Sequence, residues 1–368
     1  MLTVVVPVHN GGAQLTCCLR ALQASFYRDF ELLVVDDCST DRTAHVIKAH
    51  GARYLRTSHR LGPAGARNLA ARHARGDILV FVDADVQVPP EALGLIAENF
   101  GRRPDLAGVF GSYDQEPSAS GFFSHYKNLF HHYIHQHSNE NATTFWAGCG
   151  ALRRNIFEQF GGFHSAKYQR PAIEDIESGL RLRRAGQRIL LDKRLQVKHL
   201  KRWTLTSMIR SDIRDRAVPW SKLILESGKL PRDLNLTYAS RVSALSVMLL
   251  VLFALQLLHS VSSSSRLVSL DSLAILSLAL LLITLNYRVY QFFWKQRGPL
   301  FALGAVPMHW LYYFYSGVVW VCCYVAHHAG STLHPPSTAP AKLPELPRDR
   351  APKATAITAR PSVDRQLV

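Results

Sequence analysis

A chain of 368 residues with 48% hydrophobic content and a formal net charge of +16 exceeds one small domain and suits anionic partners such as nucleotides, nucleic acid or acidic lipid. Its six cysteines fall as Cys17-Cys18, Cys38, Cys149 and Cys322-Cys323, which excludes zinc-knuckle and redox-pair spacing and reads as reduced, mostly buried thiols. No RNA-binding aromatic motif or DNA-reading module is present, so no nucleic-acid partner is expected.

The N-terminus, MLTVVVPVHN, has neither a basic region nor a long apolar run before a cleavage site. Nothing there directs export, and the first domain is expected in the cytoplasm. Short β-branched runs follow at 2–8, 31–37, 77–85 and 106–113, alternating with amphipathic segments at 13–24, 41–49, 64–74 and 90–99. These predict buried strands and intervening helices. The alternation implies an α/β fold with a mainly parallel sheet, in which ligands gather at the carboxyl ends of strands. Asp36 and Asp37 follow one such strand, Asp83 and Asp85 another. No internal repeat is visible.

In an extended segment residues i and i+2 point to one side, which places Asp83 and Asp85 on a common ligand across Ala84. Two hard oxygen donors suit Mg²⁺ or Mn²⁺ bound together with substrate phosphates. Taken alone, the triplet equally marks a strand-to-turn junction with Asx capping. The stretch GPAGARNLA (62–70) reads as a glycine-containing turn opening a helix, where backbone N–H groups and the helix dipole favour an anion; an ordinary proline-led helix start has the same composition.

Histidines crowd residues 124–141, with His131 and His135 at i, i+4. No glutamate sits between them as a base, and Tyr126, Phe130 and Tyr133 fill the segment, so an acceptor-side or membrane-facing helix is expected rather than a metal site. Glu174 and Asp175 open a helix, IEDIESGLRLRRAG, that carries an apolar stripe of Ile173, Ile176 and Leu180. Acidic residues in a first turn also complement the helix dipole by about 0.3–1 kcal/mol. Residues 206–226 mix apolar and basic side chains ahead of the apolar region, predicting an interfacial helix broken near Pro219. There Arg210, Arg214 and Arg216 suit either lipid phosphate or a solvated basic face.

Apolar segments of membrane-spanning length occur at about 241–259, 267–286 and 302–325. Three spans are therefore expected within a transmembrane region at 239–326, preceded by an amphipathic region at 204–238. The first loop holds one basic residue and the second Arg288, Lys295 and Arg297, which puts the N-terminal domain and second loop on the cytoplasmic side of a multi-pass plasma or inner membrane and the tail outside. Asp271 weakens the second span and leaves a hairpin open. The stretch 331–368 is rich in proline and poor in apolar clusters, predicting a disordered tail.

VVVPVHNGG (4–12), VVDDCSTDRT (34–43), GPAGARNLA (62–70), FVDAD (81–85), FWAGCGALRRNIFEQFGGF (145–163) and IEDIESGLRLRRAG (173–186) occur in the order and at the separations of family 2 glycosyltransferases. Across residues 2 to about 200 the chain resembles that family. The resemblance implies a GT-A fold over 1–203, a Rossmann-like nucleotide-sugar-binding α/β domain, and an inverting transfer that uses Mg²⁺ or Mn²⁺.

Residue by residue, it implies that Pro7 shapes the base pocket and that Asp36 and Asp37 face the nucleotide. Arg67 and Asn68 would lie near the diphosphate. Asp83 would touch the nucleotide sugar or metal, and Asp85 would be the principal metal ligand. Asp175 would be the general base that takes a proton from an acceptor hydroxyl, with Glu174 orienting it or holding an acceptor hydroxyl. Trp146 and Gly148 of FWAGCG would stand on the acceptor side. VKHLKRWTL (197–205) resembles the Gln-x-x-Arg-Trp motif of processive members with His in place of Gln. By that resemblance Arg202 assists the diphosphate and Trp203 stacks on acceptor sugar; the His departs from the processive pattern, and as in non-processive members, which often carry a His here, His199 would face the metal or diphosphate.

The expected activity is transfer from a nucleotide-diphospho-sugar, with a UDP-sugar favoured, to a hydroxyl of a lipid-linked or cell-envelope glycan. The alternatives are a processive polysaccharide synthase, for which three spans would need an oligomer or a partner membrane protein to complete a channel, a polyprenyl-phosphate glycosyltransferase, and a catalytically inactive nucleotide-binding scaffold.

Overall fold

The computed structural model describes residues 1–228, 237–262 and 267–331. The expected disordered tail lies outside the described residues, except for Ser331.

Eight strands form one mixed sheet: β1 (Leu2–Val8), β2 (Phe30–Asp36), β3 (Arg53–Arg56), β4 (Ile78–Val82), β5 (Val86–Gln87), β6 (Leu106–Tyr113), β7 (Cys149–Arg153) and β8 (Arg188–His199). Their spatial order is β3-β2-β1-β4-β7-β6-β8-β5. The first four in sequence pair parallel, as expected. Strand β7 then inserts antiparallel between β4 and β6, and β6 pairs parallel with β8.

Period-two alternation explains the layering. Val4, Val6, Val80 and Val82 pack on one face with Leu15, Leu19 and Leu22 of α1 (Gly12–Gln23) and Leu93 and Ile96 of α4 (Ala92–Arg102). Val5, Leu33, Leu79 and Phe81 pack on the other with Ala66 and Ala70 of α3 (Gly62–His73) and Leu182 of α7 (Glu174–Arg184). The remaining helices of the domain are α2 (Thr43–Ala49), α5 (Phe122–His137) and α6 (Arg154–Gln159).

Contrary to expectation, Asp83 and Asp85 do not extend β4. The strand ends at Val82, and the Val86 amide donates to the Asp83 carbonyl at 3.0 Å, closing a β-turn with Ala84 and Asp85 at its centre. The two carboxylates reach the sheet edge on a turn and not on one face of a strand.

After β8 the chain runs through α8 (Leu205–Ser211), a π-helical turn (Asp212–Ala217) and α9 (Val218–Ser227). Pro219 does not break this helix. Having no N–H and a bulky ring, it favours loss of the regular i to i−4 ladder, and the backbone widens into the π turn just before it.

Of the three expected spans, one helix among the described residues, α10 (Tyr238–Ser262), is long and apolar enough to cross a membrane by itself, over Tyr238–His259 at a mean hydropathy of 2.2, and a bent pair of helices passes only when taken together. The second segment forms α11 (Leu267–Leu285), which bends by 65° into the polar-ended α12 (Tyr287–Arg297). At the bend Asn286 Nδ2 donates to Ser243 Oγ at 2.9 Å, and Tyr313 Oη donates to Asn286 Oδ1 at 2.9 Å. The third segment lies inside the 33-residue α13 (Pro299–Ser331). This helix packs on α12, α9 and the π turn and buries His309, Tyr313 and Tyr315, so aromatic and polar groups replace the aliphatic run of a simple span.

Candidate active site

The carboxyl ends of β1, β2 and β4 face a cavity of about 960 Å³. Pro7, Asp37, Arg67, Asp83, Asp85, Trp146, Glu174, Asp175, His199 and Trp203 all line it. Segments scattered from residue 7 to residue 203 thus converge on one space.

Asp37 lines the cavity after β2. Its Oδ1 accepts from the Leu61 amide at 2.7 Å and Thr57 Oγ1 at 3.0 Å, and its Oδ2 accepts from the Gly62 amide at 2.8 Å. The carboxylate therefore fixes the turn that opens α3. Gly62 has φ +73°, and a Cβ there would meet the Gln169 carbonyl at 2.2 Å, so only glycine fits.

Arg67, on the first turns of α3, is buried and bridges two acids: Nη2 to Asp83 Oδ1 at 2.6 Å and Nη1 to Glu174 Oε1 at 2.8 Å. Glu174 Oε2 also accepts from the Ala172 amide at 3.0 Å. Glu174 is thereby fully engaged in positioning the first turn of α7.

Asp175 beside it lines the cavity with each oxygen holding one backbone N–H: Ala147 on Oδ2 at 2.9 Å and Ile176 on Oδ1 at 2.8 Å. Burial, reinforced by the charge of Glu174, pushes its pKa up to about 7, against the pull of the Ala147 amide and Arg67. A carboxylate poised there can take and hold a proton near neutral pH.

His199, at the end of β8, lies with Nε2 3.6 Å from Asp85 Oδ2. Tyr113 stacks on its ring at 4.2 Å between centroids and 13° between planes, which fixes the imidazole. Burial works against the charge of Asp85, and His199 and Lys201 outweigh it, holding the carboxyl below its ordinary value. Asp83 gives one oxygen to Arg67, while Asp85 remains 29% exposed beside His199. The hard carboxylate of Asp85 fits Mg²⁺ or Mn²⁺ with substrate phosphates completing the shell. Among the described residues no group of three acidic, histidine or cysteine side chains converges as a cage.

Four expected site residues stand elsewhere. Asp36 is buried outside the cavity, where Oδ1 accepts from the Ser39 amide at 2.8 Å and Oδ2 from Tyr54 Oη at 3.0 Å. Asn68 turns away from the cavity and clamps the loop after α6: Nδ2 donates to the Phe163 carbonyl at 2.7 Å and Oδ1 accepts from the Phe163 amide at 2.9 Å. One helical position separates it from Arg67, so the two side chains leave α3 on different faces. Arg202 is exposed and does not line the cavity, whereas Lys201 does. Gly148 supports the site from behind, where a Cβ would strike the Trp146 ring at 2.3 Å.

The sequence pattern did not single out Tyr113 and Lys127, and it marked His131 and Arg216 only as members of larger segments; all four line the cavity. The signal for the α5 residues was its histidine run: His131 packs against Tyr113, Trp146 and His135 at centroid distances of 4.4, 5.0 and 4.0 Å. Burial lowers its pKa well below the ordinary value, so it lines the wall as a neutral ring.

The glycosyltransferase family 2 model ("Glycosyl transferase family 2") matches residues 3–161, from β1 through α6. The chain carries a glycosyltransferase family 2 domain. An "Uncharacterized glycosyltransferase" of Haemophilus influenzae is 29% identical over 124 residues, covering 33% of this chain and 42% of the relative. An "Undecaprenyl-phosphate 4-deoxy-4-formamido-L-arabinose transferase" of Pseudomonas paraeruginosa is 32% identical over 117 residues, covering 29% of this chain and 34% of the relative. The chain thus spans less than half the length of these curated relatives. The fold of most of the chain resembles a solved structure described as "Mannosyltransferase PcManGT from Pyrobaculum calidifontis in complex with GDP-Man and Mn2+", with a TM-score of 0.53, 18% identity, and coverage of 89% of this chain and 86% of that one. That likeness extends the GT-A type α/β assignment beyond the segment matched by the family model.

Proposed function

We propose that this protein is a membrane-associated, inverting, metal-dependent glycosyltransferase that moves a sugar from a nucleotide-diphospho-sugar to a hydroxyl of a lipid-linked or cell-envelope acceptor. The observation that carries the reading is the meeting of Asp85 and Asp175 in one cavity whose wall continues onto α10 and α13. A carboxylate suited to a metal and a carboxylate suited to proton capture serve the two ends of one displacement.

In this reading Asp175 accepts the proton of the acceptor hydroxyl. The hydroxyl oxygen forms the new bond to the anomeric carbon as the bond to the diphosphate oxygen breaks, and that oxygen leaves with the electron pair. Asp85 would hold a divalent cation, which would supply charge neutralisation to the leaving diphosphate. Asp83 and Arg67 hold the sugar side of the donor, Pro7 and Asp37 border the base, and Trp146 and Trp203 form acceptor walls. His199 orients Asp85. The Mn²⁺ and GDP-Man named for the structural neighbour support this class of donor and metal, and the undecaprenyl phosphate named for a relative supports a lipid-linked acceptor, though through a phosphate oxygen and not a hydroxyl. A UDP-sugar is the favoured donor. The membrane is the expected site, with the catalytic domain on its cytoplasmic side, and α10 is the expected anchor.

The test is a panel of nucleotide sugars with Mn²⁺ or Mg²⁺ and lipid extracts, following nucleotide diphosphate release and labelled product together. Release that depends on both metal and acceptor supports the reading. Turnover unchanged in Asp85→Ala and Asp175→Asn overturns it.

A further inference from the structure

A second groove, of about 570 Å³, lies between the end of α11, α12 and the start of α13. Ile283, Tyr290, Trp294, Lys295, Ala302 and Val306 line it, and none of its residues borders the catalytic cavity. Its volume is that of a small-molecule site, and its walls are hydrocarbon and aromatic with a cation among them.

The two sides of α12 differ. Val289, Tyr290 and Phe293 are buried in one cluster with Tyr126, Leu129 and Phe130 of α5. Trp294 is 60% exposed, and just past the helix Leu300 and Leu303 are 84% and 71% exposed. An apolar patch of this kind marks an interaction surface and not a face for water. Both long walls are anchored to the catalytic domain. Arg297 at the end of α12 donates to Glu116 Oε2 at 3.0 Å, and α13 is tied to α5 through Asp212, which takes Lys127 on Oδ1 and Tyr315 on Oδ2, the latter at 2.7 Å. The groove is therefore preformed, and a ligand loses little in ordering it.

Charge decides the occupant. Arg288 and Lys295 are seven residues apart on α12 and so lie on one side of it, two turns from each other. Unlike Arg297, neither has a carboxylate within ion-pair distance among the described residues; Arg288 Nε donates only to Tyr287 Oη, at 3.2 Å. Two uncompensated cations beside an apolar groove suit a phosphate that carries a hydrocarbon chain, and they disfavour a head group that brings its own ammonium. An exposed indole beside them matches the level at which tryptophan sits in a bilayer.

We propose that this groove seats one anionic phospholipid of the surrounding leaflet, its acyl chain against Ile283, Ala302 and Val306 and its phosphate on Lys295 and Arg288. The proposal rests on the membrane association in the reading above and adds a lipid site that takes no part in sugar transfer.

The experiment places the full chain in nanodiscs of phosphatidylcholine doped with phosphatidylglycerol, with one or the other lipid dibrominated in its acyl chains, and reads tryptophan quenching with no nucleotide sugar present. Phosphatidylglycerol is expected to be preferred by about fivefold or more, and the excess quenching should vanish in Trp294→Phe, which assigns it to the groove. Lys295→Gln with Arg288→Gln should bring the two lipids to parity, while Lys295→Arg keeps the preference. Val306→Phe, which fills the groove, should also bring parity with both cations in place. Melting temperatures in detergent show that each variant is folded. Equal quenching by the two lipids in the wild type overturns the proposal, as does an excess that survives either Trp294→Phe or loss of both cations. Extraction of native membranes with alkaline carbonate separates the two readings: release of the wild-type chain would sink membrane anchoring, whereas retention together with equal quenching would sink the lipid site alone.

Discussion

Arg67 and Glu174 are 107 residues apart in sequence and form a buried ion pair at 2.8 Å, and the same guanidinium holds Asp83 at 2.6 Å. One side chain on α3 thus fixes both the turn after β4 and the first turn of α7. The turn that carries Asp83 and Asp85 and the helix start that carries Asp175 share this strut.

Arg67→Ala is expected to cost about 3 kcal/mol or more of stability, because it leaves the buried Glu174 carboxylate without its cation. Activity should fall further than stability explains, since Asp83 and Asp175 lose their common frame. Urea unfolding and initial-rate measurements on the same preparation check both. Arg67→Lys should recover some stability but little activity, as an ammonium cannot span two carboxylates with the same fork.

In the proposed mechanism Asp175 is expected to set the acidic side of the pH profile. As general base it must be ionised, so kcat/KM should fall about tenfold per pH unit below roughly pH 7. Asp175→Asn should reduce kcat by about 10² to 10⁴-fold and remove that limb. Stability follows with the opposite sense. A carboxyl whose folded pKa is raised from 3.8 to about 7 binds its proton more tightly when folded, so its favourable contribution is complete below about pH 4 and is lost as pH rises through 7. Asp175→Asn should therefore be more stable than wild type at pH 8, with the difference shrinking at pH 5, as thermal melts at both values would show.

Chelation by EDTA is expected to abolish turnover, with Mn²⁺ or Mg²⁺ restoring it. Mn²⁺ binding in the presence of UDP, read by electron paramagnetic resonance, should weaken by at least about tenfold in Asp85→Ala. His199→Ala should weaken it less, because the ring stands 3.6 Å from Asp85 and orients that carboxylate.

Asn68→Ala should lower stability by about 1–3 kcal/mol through loss of both bonds to the Phe163 backbone. KM for the donor should stay within about twofold. A KM rise as large as that of Asp83→Ala would return Asn68 to the diphosphate. Arg202→Ala should leave both parameters near wild type, and Lys201→Ala should not.

The parts of this site that were legible in the sequence are those set by local pattern. Buried β-branched runs ending in carboxylates marked the carboxyl edge of the sheet, whereas Asp175 was marked by the family resemblance and not by its place in a first turn, where acids equally complement a helix dipole. What was not legible depends on rotation and register. Asp83 and Asp85 share the cavity through a turn, which alternation along β4 does not foretell. Arg67 and Asn68 are adjacent in sequence yet leave α3 on different faces, and Lys201 and Arg202 exchange roles in the same way at the end of β8. Arg216 could be counted only as one of three arginines on an amphipathic helix, because a π turn changes the facing of every residue after it. The second expected span ends where Asn286 bends α11 into α12 by 65°, a polar clamp that hydropathy windows do not record because they register composition alone.

In the proposed membrane setting, the tie from Asp212 to both Lys127 and Tyr315 would bear on how far from the bilayer this protein works. With α5 and α13 fastened to one carboxylate, the catalytic cavity is not carried on a slack tether. In a membrane it would sit at a set height, reaching only sugars or phosphates that emerge at that depth. Acceptor choice would then be made partly by ruler: a lipid with the right chemistry but too long a head group would present its reactive oxygen above the cavity and pass untouched.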